Sequence, residues 1–204
     1  MKFGYNIIKH LHRLLIWLKS WGSSRGFGVQ SPWAYQFIRY VICENYSYYA
    51  YEELSKAFPD TDKLTESLCE LYFRIANYSQ ARTWCFCLNN YDIKEAYVKA
   101  GCNKSHIIKG VVDDEQCGCE GLIQCDILVM TLDDNWKSIY TTFTSQTKPA
   151  SILIVENIHA SEMTLKAWRW IQQDGRSGIT FDLYHCGIVF FDKKLYKQHY
   201  TVNL

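Results

Sequence analysis

Glu156-Asn157-Ile158-His159 places a carboxylate, an amide and an imidazole directly after the apolar run Ser151–Val155. A carboxylate in that position could accept a proton or ligate a hard cation. The amide could donate or ligate, and an imidazole titrates near neutral pH and can serve as a base. The structural alternative is that all three residues orient the loop before the next helix. Asp133-Asp134 trail another apolar run, Asp126–Leu132, and read as helix-capping acids. The nine cysteines lack a secretory leader and point to free thiols in a reducing, cytoplasmic setting. Their tightest cluster, Cys117-x-Cys119 with Cys125, lacks the paired C-x₂-C spacing of a zinc knuckle, and no histidine lies close by in sequence, so no metal is assigned. Cys85 and Cys87 alternate along a strand and read as small core residues on one face. His185, in a tight turn, reads as a packing histidine.

Strands and helices alternate to hold these residues. Thr83–Leu88, the weaker His106–Val112, Asp126–Leu132 and Ser151–Val155 read as strands, the last two apolar enough for burial on both faces. The terminal run ITFDLYHCGIVFF reads as an antiparallel pair meeting near His185–Gly187. Ser31-Pro32 starts a helix with Trp33, Phe37 and Val41 on one side. A helix over about 62–78 carries Leu64, Leu68, Leu71 and Ile75 on one face. Asp92 and Glu95 form a capping box for a helix with Ile93, Ala96, Tyr97 and Ala100 inward, ended by Gly101. Trp136, Ile139, Tyr140 and Phe143 make another stripe. Ser161 caps a helix that turns Met163, Ala167, Trp170 and Ile171 inward. The pattern is that of an α/β fold, a mostly parallel sheet with helices on both faces.

The division expected is a helical section over 1–60 and an α/β domain over 61–204. The first segment forms a basic amphipathic helix with Ile7, Ile8, Leu11, Leu14, Leu15 and Leu18 on one face. Packing on its own domain, on a second copy or on a protein partner fits it better than membrane-surface binding. No apolar run approaches the roughly 18–20 residues of a membrane span. A net charge of +1, with basic residues spread along all 204 positions, gives no case for nucleic acid.

Four segments together resemble a bacterial family of class I S-adenosylmethionine-dependent methyltransferases: GFGVQSPW at Gly26–Trp33, YYAYEEL at Tyr48–Leu54, LYFRIANY at Leu71–Tyr78 and FDLYHCGIVFF at Phe181–Phe191. The resemblance implies a Rossmann-like sheet with an antiparallel C-terminal strand and an N-terminal helical extension. It also implies S-adenosyl-L-methionine across the carboxyl ends of the first strands and a small-molecule acceptor. By position, the cofactor would meet Cys87, Leu88, Asn89, Asn90, Asp113 and Thr131, and the catalytic crevice would hold Glu156, Asn157 and His159.

Departures from the family pattern fall on those positions. The acid at the end of the first strand is Phe86, and its glycines are Leu88 and Asp92. Asparagine tolerates positive φ, so Asn89-Asn90 can still make the turn, but without the bare backbone that glycine offers a ligand. Where the second strand should end in a ribose-binding acid stand Lys109 and Gly110, with Asp113, Asp114 and Glu115 further on. Thr131 replaces an aspartate after the fourth strand, so a catechol-type metal site lacks one of its usual three ligands. The interval from Gly101 to Cys125 is shorter than the ~30 residues of a full βαβ unit, which implies a sheet short by one strand. The expectation is a degenerate relative with weak or absent cofactor binding, a non-enzymatic binding or scaffold module. Set against it is an active O-methyltransferase-like enzyme using Glu156 or His159.

Overall fold

Apolar runs with short connections pair side by side, and a computed structural model describes them over residues 29–88, 91–110 and 125–203. The basic amphipathic segment, Asn89, Asn90, Asp113, Asp114, Glu115, Cys117 and Cys119 lie outside the described residues. The strands are β1 (Thr83–Cys87), β2 (His106–Lys109), β3 (Ile127–Met130), β4 (Ile152–Glu156), β5 (Thr180–Asp182), β6 (Cys186–Phe190) and β7 (His199–Thr201). They form one sheet in the order β2-β1-β3-β4-β6-β5-β7. β6 alone runs against the others, inserted between β4 and β5.

Alternation along each strand sends side chains to two separate cores. Trp84, Phe86, Ile127, Val129, Ile152, Ile154, Ile188 and Phe190 pack beneath α1 (Pro32–Phe37) and α3 (Lys63–Ser79). Cys85, Cys87, Leu128, Met130, Leu153, Val155 and Val189 pack against α5 (Trp136–Thr144) and α6 (Glu162–Gln173). Two of the resemblance segments meet in the first core, where Trp33 lies edge-on to Phe190 at 4.7 Å, and Phe37, a turn further along α1, does the same at 4.9 Å. α1 continues as a π-helix, Ile38–Ile42, and α2 (Tyr49–Ala57) follows.

The structure corrects the sequence reading in several places. The described strands number seven because His199–Thr201 joins β5 in parallel at the far edge; between Gly101 and Cys125 the one described strand is β2. Three residues with one apolar side chain carry no strand signal of their own. The antiparallel strand is therefore not the last one. α4 (Asp92–Gly101) begins one residue earlier than a cap at Asp92 would place it, with Tyr91 as N-cap and no side-chain cap. Glu95 pairs forward with Lys99 at 2.5 Å instead of reaching back. α4 also turns so that Lys94, Tyr97 and Val98 are buried while Ala100 is exposed.

In α6 the buried residues are Trp168 and Ile171, whereas Met163 and Trp170 face outward. The cause is Gly187 on β6: a Cβ there would lie 2.4 Å from the Trp168 ring, so the glycine makes the slot that Trp168 fills. Leu64, at the start of α3, is exposed. Asn135, not Asp133 or Asp134, stands at the N-cap of α5; the Asp133 carboxylate accepts from the Thr131 hydroxyl at 3.0 Å. The Ser161 cap stands as read, with Thr164 completing a capping box.

Candidate functional site

Glu156 is the last residue of β4, and strand alternation puts it on the same side as Ile152 and Ile154, under the α3–α4 layer. It is only 7% exposed. Lys94 of α4, equally buried, approaches both carboxylate oxygens, at 2.7 Å and 2.9 Å. The Tyr72 hydroxyl, from α3, donates to the first of them at 2.5 Å. An isolated charge in such a place would cost several kcal/mol, so an ammonium and a phenol in bonding distance are what allow it. Burial, with the Glu156 charge adding to it, holds the Tyr72 hydroxyl protonated well above its ordinary range. Burial also pushes the nearby Cys69 thiol up to about 12, against the opposing pull of Lys94. The three groups tie two helices to the carboxyl end of the sheet and leave the carboxylate compensated.

At the end of β1, aromatic and aliphatic side chains close together. Phe86 stacks with Tyr91 at 6.1 Å and with Trp84 at 6.2 Å. The Lys109 ammonium, at the end of β2, lies 4.8 Å over the Tyr91 ring, a cation–π contact. Leu88 is buried in the first core and Cys87 in the second. A Cβ on Gly110 would come within 2.4 Å of the Cys87 sulfur, so β2 leaves its edge tight against β1.

The other two residues of the Glu156 group turn elsewhere. Asn157 is exposed at φ 59°, its backbone N–H donating to the His185 carbonyl at 2.7 Å. His159 Nε2 meets the Asp182 carboxylate at 3.0 Å and 3.1 Å, and its ring stacks on Tyr184 at 4.9 Å. Asp182 also accepts from the Trp168 indole at 3.0 Å and from the Tyr184 backbone at 2.9 Å. Tyr184 sits at φ 69°, a left-handed conformation that brings both its ring and its amide to this cluster. Glu156 and His159 thus belong to two separate networks. Among the described residues, no three His, Cys, Asp or Glu side chains are arranged to hold a metal ion.

Lys94, Tyr72 and Asp182 escape the sequence reading. A signal for Lys94 does exist: Lys94, Val98 and Gly101 fall at helical spacing, a lysine on a face otherwise used for packing. Gly101 meets α3 so closely that a Cβ would lie 2.3 Å from the Phe73 carbonyl.

The sequence matches no protein-family model and no curated protein. Solved structures do match by shape. A candidate caffeoyl-CoA O-methyltransferase from Staphylococcus aureus superimposes with TM-score 0.51 at 9% identity, over 71% of this chain and 93% of that one. A methyltransferase from Geobacter sulfurreducens gives 0.50 at 13% identity, over 70% and 87%. An O-methyltransferase from Bacillus cereus, solved with S-adenosylhomocysteine, gives 0.49 at 9% identity, over 77% and 96%. At 9% and 13% identity the first two establish the fold alone, a Rossmann-like mostly parallel sheet, and activity has to be argued from the site. No described helix is long and apolar enough to cross a membrane.

Proposed function

We propose that this chain is a degenerate relative of the class I S-adenosylmethionine-dependent methyltransferases, a cytoplasmic protein that keeps their fold as a binding module without methyl transfer. The observation that carries the reading is the buried Lys94–Glu156–Tyr72 network. It engages both oxygens of the acid best placed for catalysis and holds that acid buried against a lysine and a phenol. The end of β1 supports it independently. Phe86 and Leu88 fill with side chains the positions where the family has an acid and a glycine, and Lys109 brings a cation to the position of the ribose-binding acid. The described residues therefore do not fit S-adenosyl-L-methionine at those positions. The division into a 1–60 extension and a 61–204 domain is part of this proposal, with α1 of the extension seated in the first core of the domain and the extension offered as contact surface to a protein partner or a second copy.

A second reading, methylation of a small-molecule acceptor, has one observation in its favour: Asp182 fixes His159 by a hydrogen bond, as a general base requires. Thermal unfolding separates the two. A cofactor present at ten times its Kd stabilises by about 1.4 kcal/mol, which moves the midpoint of a chain this size by roughly 3–5 °C. The degenerate reading expects no shift with S-adenosylmethionine or S-adenosylhomocysteine at ~1 mM. A saturable upward shift would favour the enzyme, and Glu156→Ala and His159→Ala would then divide the roles.

A further inference from the structure

A groove of about 640 Å³ opens between the end of the π-helix, the loop after it and the outer face of α3. Its position follows from topology. α3 ends at Ser79, shortly before β1 starts at Thr83, so the helix runs antiparallel to that strand and its first half lies at the carboxyl edge of the sheet. Tyr72, meeting the last residue of β4, confirms that direction. Asn203, which also lines the groove, follows β7, itself parallel to β5. The groove therefore stands on the edge where open α/β sheets bind ligands, away from the end of β1.

Its walls are built rather than incidental. Arg74 is only 6% exposed; its Nε donates to the Val41 carbonyl at 2.7 Å and a terminal nitrogen to the Ile42 carbonyl at 3.4 Å. These carbonyls end the π-helix, a rare element frequently found at functional sites. With Arg74 spent on backbone, Glu70 keeps only a loose 3.7 Å contact to it. Partial burial raises the Glu70 carboxyl above its usual range, the mark of a charge short of compensation. Arg39, exposed on the same lining, makes no ion pair or hydrogen bond with any described residue. Glu44, also on the lining, accepts from the Tyr46 amide at 3.0 Å.

We infer that this groove binds a zwitterion of short-peptide size, its carboxylate on Arg39 and its ammonium on Glu70. The two under-compensated charges have opposite sign, and the volume exceeds what a single amino acid fills. This inference does not rest on the loss of cofactor binding, and the S-adenosylmethionine titration does not bear on it.

The test is an NMR titration of the full chain with triglycine and with N-acetyl-triglycine amide, which carries neither charge. Saturable shifts at Asn45, Ser67 and Glu70 are expected with triglycine, and binding of the capped peptide should be about three- to fivefold weaker. Arg39→Ala, a change at an exposed side chain, should remove most of that preference. Glu70→Gln should erase the advantage of triglycine over N-acetyl-triglycine while the rest of the spectrum is kept. No saturable shift, or equal affinity for the charged and capped peptides, overturns the inference.

Discussion

Two carboxylates at the same edge of the sheet are held in opposite ways. Asp182 is held by an imidazole, an indole and a backbone amide, on a side chain 14% exposed. Glu156 is held by an ammonium and a phenol and is buried. Ring and backbone donors fix Asp182 and hold the histidine it orients, whose side chain is 13% exposed. The salt bridge at Glu156 engages both oxygens of the buried acid and uses its partner lysine in doing so. In chemical terms the first arrangement positions a group, and the second retires one.

The sharpest way to break this contrast is to remove a single member of the buried pair. Lys94→Met should destabilise the protein by about 3–5 kcal/mol in denaturant unfolding, because it strands Glu156 without a counter-charge. Replacing both, Lys94→Met with Glu156→Leu, should recover most of the loss; failure to recover would mean that the network is held by more than the pair. At the other carboxylate, Trp168→Phe removes one charge-assisted donor and should cost about 1.5–3 kcal/mol while His159 stays bound to Asp182. Gly187→Ala forces a Cβ into the Trp168 ring and should cost about 1–3 kcal/mol, with shifts confined to the β5–β6 turn and α6.

Much of this was legible in the sequence, and what was not has physical reasons. β3 and β4 announce themselves as unbroken apolar runs, since burial on both faces leaves no room for alternation. Ser161 announces a helix start because its hydroxyl has a local job. Lys94 stays hidden because its partner Glu156 is 62 positions away in sequence, and Tyr72, the other group on that carboxylate, is 84 from it, so no window of the chain contains the compensation. Trp168 and Trp170 are equally apolar, and only the slot above Gly187 decides which turns inward. The pairing of Glu156 with Lys94 could not be read beside Asn157 and His159, because proximity in sequence there does not become a shared site.

The smallest effect expected lies at the sheet edge. His199 Nδ1 and the Thr180 hydroxyl are 2.8 Å apart across β5 and β7, and burial, with Lys197 adding to it, lowers the imidazole below its ordinary 6.5. A group depressed in the folded state contributes stability above its unfolded pKa and loses it as pH falls through the folded one. Protection factors of the β7 amides, with the intrinsic exchange rate divided out at each pH, should therefore fall when pH drops from about 7.5 to about 5.5. His199→Gln should flatten that dependence.

The contrast between a retired acid and a positioned one is tested most directly by calorimetric titration of the full chain with S-adenosylmethionine. No saturable heat is expected for any affinity tighter than about 100 µM, roughly −5.5 kcal/mol. A binding isotherm with one site per chain and a Kd below that value would contradict the account, because it would require the Phe86–Tyr91–Lys109 end of β1 to admit the cofactor.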